Sequence, residues 1–140
     1  MKTINELSYE LNGAAIDVHR ALGPGLLESA YEAAFCHELA LRGIRFVRQK
    51  NMPVVYKDTE IDCGYRIDVL AEGQIVIELK AVEKLLPLHE AQLLTYLKLS
   101  HLPLGLLINF NVPVLKDGIR RLVNHLAEPS ALSASSAVKT

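Results

Sequence analysis

The chain has no tryptophan, only two cysteines and no surplus of either charge. Each shortage excludes something. Cys36 and Cys63 form no CxxC and no metal-type spacing. A disulfide framework, a zinc site and an iron–sulfur cluster are therefore not expected. Fifteen Lys and Arg stand against sixteen Asp and Glu, for a formal net charge of −1. That is not the footprint of a strongly basic nucleic-acid binder, so any such binding must use a local patch. The start, "MKTINELSYE", lacks the apolar core of a secretory leader. The longest apolar runs are too short to span a bilayer. The expectation is a cytoplasmic protein with no membrane partner.

What is present is a chain half hydrophobic over 140 residues, the size of one ordinary domain with its own core. Residues 3–22 read as an amphipathic helix, with Ile4, Leu7, Leu11, Ala14, Val18 and Leu22 three and four apart. "GPG" at 23–25 breaks the chain, and a second helix is expected from Leu26 to Arg42, with Gly43 as its stop. "IRFV" and "MPVVYK" are strand-like, "KDTE" is a turn, and residues 60–70 read as one longer strand. "AEG" at 71–73 signals a hairpin into a strand over 74–80. A helix over 88–100, a buried strand over 102–110 and a short helix over 117–126 follow. The expected architecture is an α/β fold around one sheet, residues 1–126, with a flexible tail over 127–140.

The stretch "VIELKAVE" (76–83) places Glu78 and Lys80 on one strand face, with Ile75, Ile77 and Leu79 on the other. In a hairpin with residues 60–70 the apolar faces must coincide, which fixes the parity of the register. Asp68 then shares a face with Glu78 and Lys80, about 5–8 Å away. Two carboxylates so placed can grip one hard cation, since Mg²⁺ binds one or two carboxylates plus water and phosphate oxygens. The lysine can steady an attacking water or a developing phosphate charge. An E-x-K tripeptide alone is more often a solvated strand face, so other residues must carry the case. Gln92 and Tyr96 lie four apart on one helical face, with His89 near it. Glu28 lies in the first turn of the second helix. A carboxylate there also favours the helix dipole, and Glu32 falls one turn later on the same side.

These motifs carry a resemblance. "GLLESAY" (25–31) reads as G-x-x-E-x-x-Y and is similar to the signature of the GxxExxY protein family, a branch of the PD-(D/E)XK nuclease superfamily. "GYRID", ending at Asp68, resembles the second motif of that family. "ELK" (78–80) looks like the (D/E)-x-K motif, and "QLLTY" (92–96) resembles the Q-x-x-x-Y helix of the RecB-like branch. The four stand in the right order over roughly residues 5–125. The resemblance implies a restriction-endonuclease-like core in αβββαβ order, with an extra N-terminal helix and a central mixed β-sheet flanked by helices. It implies Asp68 and Glu78 as Mg²⁺ or Mn²⁺ ligands and Glu28 as a helix-borne third acid. Lys80 becomes the catalytic lysine, and Gln92 and Tyr96 support the site or contact nucleic acid.

The implied substrate is DNA or RNA, and the implied reaction is metal-assisted phosphodiester hydrolysis. The alternative is a nuclease-fold module that binds nucleic acid or a protein without cutting. The best local patch for phosphates is Arg42, Arg45, Arg48 and Lys50, with Lys116, Arg120 and Arg121 as a second. Tyr31, Tyr56, Tyr65 and Tyr96 are candidates to stack bases or to pack the core. The apolar face of the first helix serves either the core or a homodimer surface.

Overall fold

The computed structural model describes residues 2–125, so the tail expected at 127–140 lies outside the described residues. Helix α1 (Ile4–Leu22) begins at a capping box. The Thr3 hydroxyl accepts the Glu6 N–H at 3.1 Å, and the Glu6 carboxylate accepts the Thr3 N–H at 2.8 Å. Its apolar stripe, Leu7, Leu11, Ala14, Ala15 and Val18, is buried in the chain's own core. Helix α2 (Glu28–Leu41) ends as the sequence indicates. Gly43 adopts a φ of 72°, its N–H donates to Ala40 O, and the Ile44 N–H donates to Leu39 O, a Schellman closure.

Among the described residues seven strands follow: β1 (Phe46–Asn51), β2 (Val54–Tyr56), β3 (Thr59–Ile61), β4 (Arg66–Ala71), β5 (Ile75–Lys80), then, after helix α3 (Pro87–Ser100), β6 (Leu104–Asn109) and β7 (Ile119–Val123). Five form one mixed sheet in the order β1-β4-β5-β6-β7, with β5 and β6 parallel and the other pairs antiparallel. The β5-α3-β6 crossover is what permits the parallel pair. Helices α1 and α2 cover one face over Val69, Ile75, Ile77, Leu79 and Ile108. Helix α3 covers the other over Ile67, Leu70, Val76 and Leu107. With both faces covered, all six residues of β6 are buried, as its unbroken apolar run requires. The core is thus the expected αβββαβ arrangement, with β2 and β3 as an inserted hairpin. Among the described residues no helix is long and apolar enough to cross a membrane.

Two expectations about elements need correction. The strand read over 60–70 is two strands. Asp62 Oδ1 accepts the Gly64 N–H at 3.0 Å, and Gly64 takes a φ of 77°, so an Asx turn separates β3 from β4. The final helix read over 117–126 is instead a 3₁₀ turn, Leu115–Gly118, and the edge strand β7. Strand β6 is apolar on both faces and needs a neighbour on its outer edge. Ile119 and Val123 pack on the α1–α2 side and Leu122 on the α3 side, which is strand alternation.

Two glycines fix close approaches. A Cβ on Gly105 would lie 2.9 Å from Leu93 Cδ1, the movable end of a side chain. A Cβ on Gly118 would run into the backbone oxygen of Asn109, which cannot move without disturbing β6. Gly118→Ala should therefore cost about 1–3 kcal/mol in urea unfolding, and more than Gly105→Ala. Equal costs would show that the turn before β7 yields freely.

Candidate active site

The loop before α2 is built around Tyr31. Its ring is fully buried and stacked on Phe110, with centroids 4.5 Å apart. Its hydroxyl donates to Gly23 O at 2.5 Å and accepts the Leu26 N–H at 3.1 Å. Gly23 and Gly25, at φ of 69° and 100°, supply the left-handed turns. Leu27, the N-cap residue, offers no side-chain cap. The tyrosine three residues inside the helix holds the loop instead, and so fixes where exposed Glu28 enters.

Asp68 and Glu78 meet where the sheet opens. The β4–β5 ladder pairs Ala71 with Ile75 and Val69 with Ile77 and ends there, and Asp68 and Glu78 are the next residues of the two strands. The turn is the one the sequence signals, with Glu72 and Gly73 at φ of 52° and 65°. At Asp68 and Glu78 the backbone ladder gives way to side chains. The Asp68 N–H donates to Glu78 Oε2 at 2.9 Å, and the Leu79 N–H donates to Asp68 Oδ2 at 2.9 Å. Each carboxylate thus locks the other strand, which explains why acids are tolerated inside a buried hairpin.

The pair is electrically strained. Burial pushes the Asp68 carboxyl above its usual range, and the charges of Glu32 and Glu28 add to the shift. Glu78, 5% exposed, is pushed up to about 8, first by burial, then by the charge of Asp68 and, more weakly, that of Glu28. Lys80 opposes both shifts, which places its charge near both acids. Glu28 arrives on a helix that packs on the α1–α2 layer, yet its charge is felt by both. Among the described residues no three acidic, histidine or cysteine side chains form a ready metal cage. The close acidic pair is Asp68 and Glu78, and Glu28 acts on it through charge.

Two residues that sequence reasoning did not assign complete the surroundings. Glu32, 9% exposed, accepts the Arg48 guanidinium at 3.0 Å through Oε2 and the Gln49 amide at 2.8 Å through Oε1. The same amide lies 3.4 Å from Asp68 Oδ1. Gln49 holds a φ of 50° inside β1, and the β1–β4 ladder has no Gln49–Asp68 rung. Strand β4 is therefore loosened on both sides at Asp68. A left-handed non-glycine residue costs about 1–2 kcal/mol relative to glycine. Gln49→Gly should keep stability within about 1 kcal/mol of the parent, while Gln49→Ala, with the strain and without the amide, should lose more in urea unfolding. Equal losses would show that the φ carries no strain. Nothing in "FVRQKN" reveals this kink, which depends on the partner strand.

Helix α3 starts with Pro87 at its first position and with His89 Nδ1 accepting the Leu86 N–H at 3.0 Å, so His89 serves as a cap. Gln92 donates to Tyr96 Oη at 3.0 Å. Tyr96 is buried, and burial followed by the charge of Glu78 raises its hydroxyl pKa, so it lies beside the acids. Asn109, level with Lys80 across β5–β6, accepts the Val82 N–H at 3.0 Å and donates to Val82 O at 2.9 Å. It pins the chain just after Lys80, a role its place in an apolar strand did not signal.

The basic patch is largely spent on ion pairs. Arg42 joins Glu10, Asp17 and Glu38 at 2.9, 2.6 and 2.9 Å, tying α1 to α2. Arg45 pairs with Glu72, and Arg48 with Glu32. Lys50 is exposed on β1. Cys36 is buried and Cys63 exposed, both as free thiols.

Residues 5–122 match the family model of the PD-(D/E)XK nuclease superfamily. The chain belongs to that superfamily. Its members generally hydrolyse phosphodiester bonds and typically depend on a divalent metal. No curated protein and no solved structure matches the chain. The five-stranded mixed sheet flanked by helices is the restriction-endonuclease-like core of the superfamily. The donor set suits a hard divalent cation: Asp68 and Glu78 offer oxygen alone, and they concentrate more negative charge than Lys80 offsets.

Proposed function

We propose that this PD-(D/E)XK protein is a nuclease that hydrolyses phosphodiester bonds of DNA or RNA with Mg²⁺ or Mn²⁺. The G-x-x-E-x-x-Y stretch, in which Tyr31 fixes the entry of Glu28, supports its placement in the GxxExxY branch. The observation that carries the reading is the Asp68–Glu78 pair facing across an opened rung, with Glu78 pushed up to about 8 partly by the charge of Asp68. Bound there, the ion would lower the pKa of a coordinated water and neutralise the scissile phosphate. Asp68 and Glu78 would hold it, and Glu28 would complete the acidic shell from the start of α2. Lys80 orients the attacking water or offsets charge growing on the phosphate. Gln92 and Tyr96 brace the α3 side.

The test is an Mn²⁺-supplemented cleavage assay on single- and double-stranded DNA and RNA, beside Glu78→Ala. Cleavage by the parent, lost in the variant, is the expected result. No cleavage of any substrate favours the second reading, a module that binds nucleic acid or a protein without cutting. The ion pairing of Arg42, Arg45 and Arg48 speaks for the protein-binding form of that reading, because it leaves fewer free cations for phosphates. Metal-induced thermal stabilisation separates the two, since a working acidic site gains stability by mass action.

A further inference from the structure

Beside the acids, on the α3 side, lies an open hollow of about 340 Å³ lined by Tyr65, Leu88, Ala91, Gln92, Thr95 and Tyr96. It is not part of the acidic pair, but it shares a wall with it. Tyr96, which lines the hollow, is the residue whose hydroxyl feels the charges of Glu78 and Asp68. Tyr65 stands over it, with ring centroids 6.3 Å apart and planes inclined at 59°. Tyr65 is 46% exposed and Leu88 73% exposed, although both are large apolar groups at the edge of a charged site. Neither is needed to complete the core.

The chemistry of the lining is specific. Two aromatic rings set at an angle and one leucine provide flat apolar surface. Gln92 spends one N–H on Tyr96, which leaves its carbonyl oxygen and second N–H for a planar polar edge. Thr95 donates its hydroxyl proton to Ala91 O, which leaves an acceptor. A flat ring with donors and acceptors around its rim matches such a lining. An alkyl chain would leave the Gln92 amide unpaired, and a base still in a duplex could not present its face. We infer that this hollow is a subsite for one unpaired nucleobase of the strand whose phosphate meets Asp68, Glu78 and Lys80, so that the substrate is single-stranded or frayed at the cut. The inference rests on the nuclease reading for where the phosphate lies.

The side chains that define the hollow at its open side, Tyr65 and Leu88, are exposed, so changing them should leave the fold intact. The probe is a short single-stranded DNA with Ca²⁺ in place of Mg²⁺, measured by fluorescence anisotropy against the same strand carrying one abasic position and against a blunt duplex. The parent chain should prefer the intact single strand. Tyr65→Ala should weaken binding about tenfold, the scale of one lost base–aromatic stack, and Tyr65→Phe should restore it. Leu88→Ser should weaken it as well, and it carries the test should Tyr65→Ala unfold. Equal affinity for parent and both variants, equal affinity for intact and abasic strands, or a preference for the duplex would each overturn the inference. Tyr65-dependent binding without cleavage in Mn²⁺ would keep the subsite and remove the nuclease reading. Cleavage without any dependence on Tyr65 or Leu88 would do the reverse.

Discussion

Glu78→Gln should make the metal-free protein more stable and at the same time silence it. The Glu78 carboxyl sits at an ordinary value of 4.5 when unfolded and is pushed up to about 8 when folded, by burial and then by the charge of Asp68. The folded state therefore holds a proton that the unfolded state has released. Stability must fall as pH rises from the unfolded value through the folded one, and the loss persists above it. Asp68, also raised, adds to the slope in the same direction. At 1.36 kcal/mol per unit of pKa difference, the total is on the order of a few kcal/mol. A glutamine can still accept the Asp68 N–H through its carbonyl oxygen, and it carries no charge to desolvate. In EDTA at about pH 8 the variant should melt above the parent, and its melting temperature should vary less with pH between the two values. Adding Mn²⁺ should reverse the order, since only the parent gains by binding. Cleavage by the variant should be absent. A variant less stable than the parent in EDTA at that pH would mean that Glu78 is held ionised as a structural group, and the case for a metal site would fall with it.

A stability cost in the metal-free state is what a poised site entails. Acids brought together by the fold must be held against their own repulsion, and here the β4–β5 hairpin does so through two backbone N–H groups. The kink at Gln49 is a second such cost, 19 residues before Asp68 and in hydrogen-bond range of it. Both lie in the part of the sheet where strand pairing is incomplete, while β5 and β6 pair along their whole length.

Much of this was legible in the sequence because it depends on local rules. Strand alternation and the need to bury one face brought Asp68 and Glu78 together in the hairpin, and their hydrogen bonds to each other's strands agree, although Ile67 and Val69 pack on opposite faces, so the alternation breaks at Asp68. The "AEG" turn, the Gly43 stop and the "GPG" break follow from backbone preferences that act over a few residues. What was not legible depends on distant partners. Ile119, Leu122 and Val123 fit a helical spacing and a strand spacing equally well over five residues, and only the open edge of β6 decides between them. Arg42, Arg45 and Arg48 look like one basic stretch along the chain, but their acceptors come from α1, α2 and the β4–β5 turn. Glu32 looked like a neighbour of Glu28 on the same helix, and its tie to Asp68 through Gln49 required the pairing of β1 with β4.

Lys80→Ala should separate the chemistry of the cut from the holding of the metal. The charge of Lys80 lowers the pKa of both Asp68 and Glu78. Removing it has two consequences of opposite sign for metal binding. Near neutral pH the acids become harder to ionise, so a cation must displace more protons. At about pH 9, above the parent's folded value for Glu78, fewer protons have to be displaced, and the variant lacks the Lys80 charge that repels the metal beside both acids. The Mg²⁺-induced thermal shift of Lys80→Ala should therefore be smaller than or similar to that of the parent near pH 7 and at least as large at about pH 9. Cleavage should drop at both, by about two orders of magnitude or more, the loss expected for one electrostatic stabiliser of the transition state. Glu78→Gln should lose shift and cleavage together at both pH values. If Lys80→Ala cleaves at the rate of the parent while keeping its thermal shift, Lys80 has no part in the reaction. It would then serve only as the counter-charge that limits the repulsion between two buried acids, a role worth under about 1 kcal/mol at a half-exposed position.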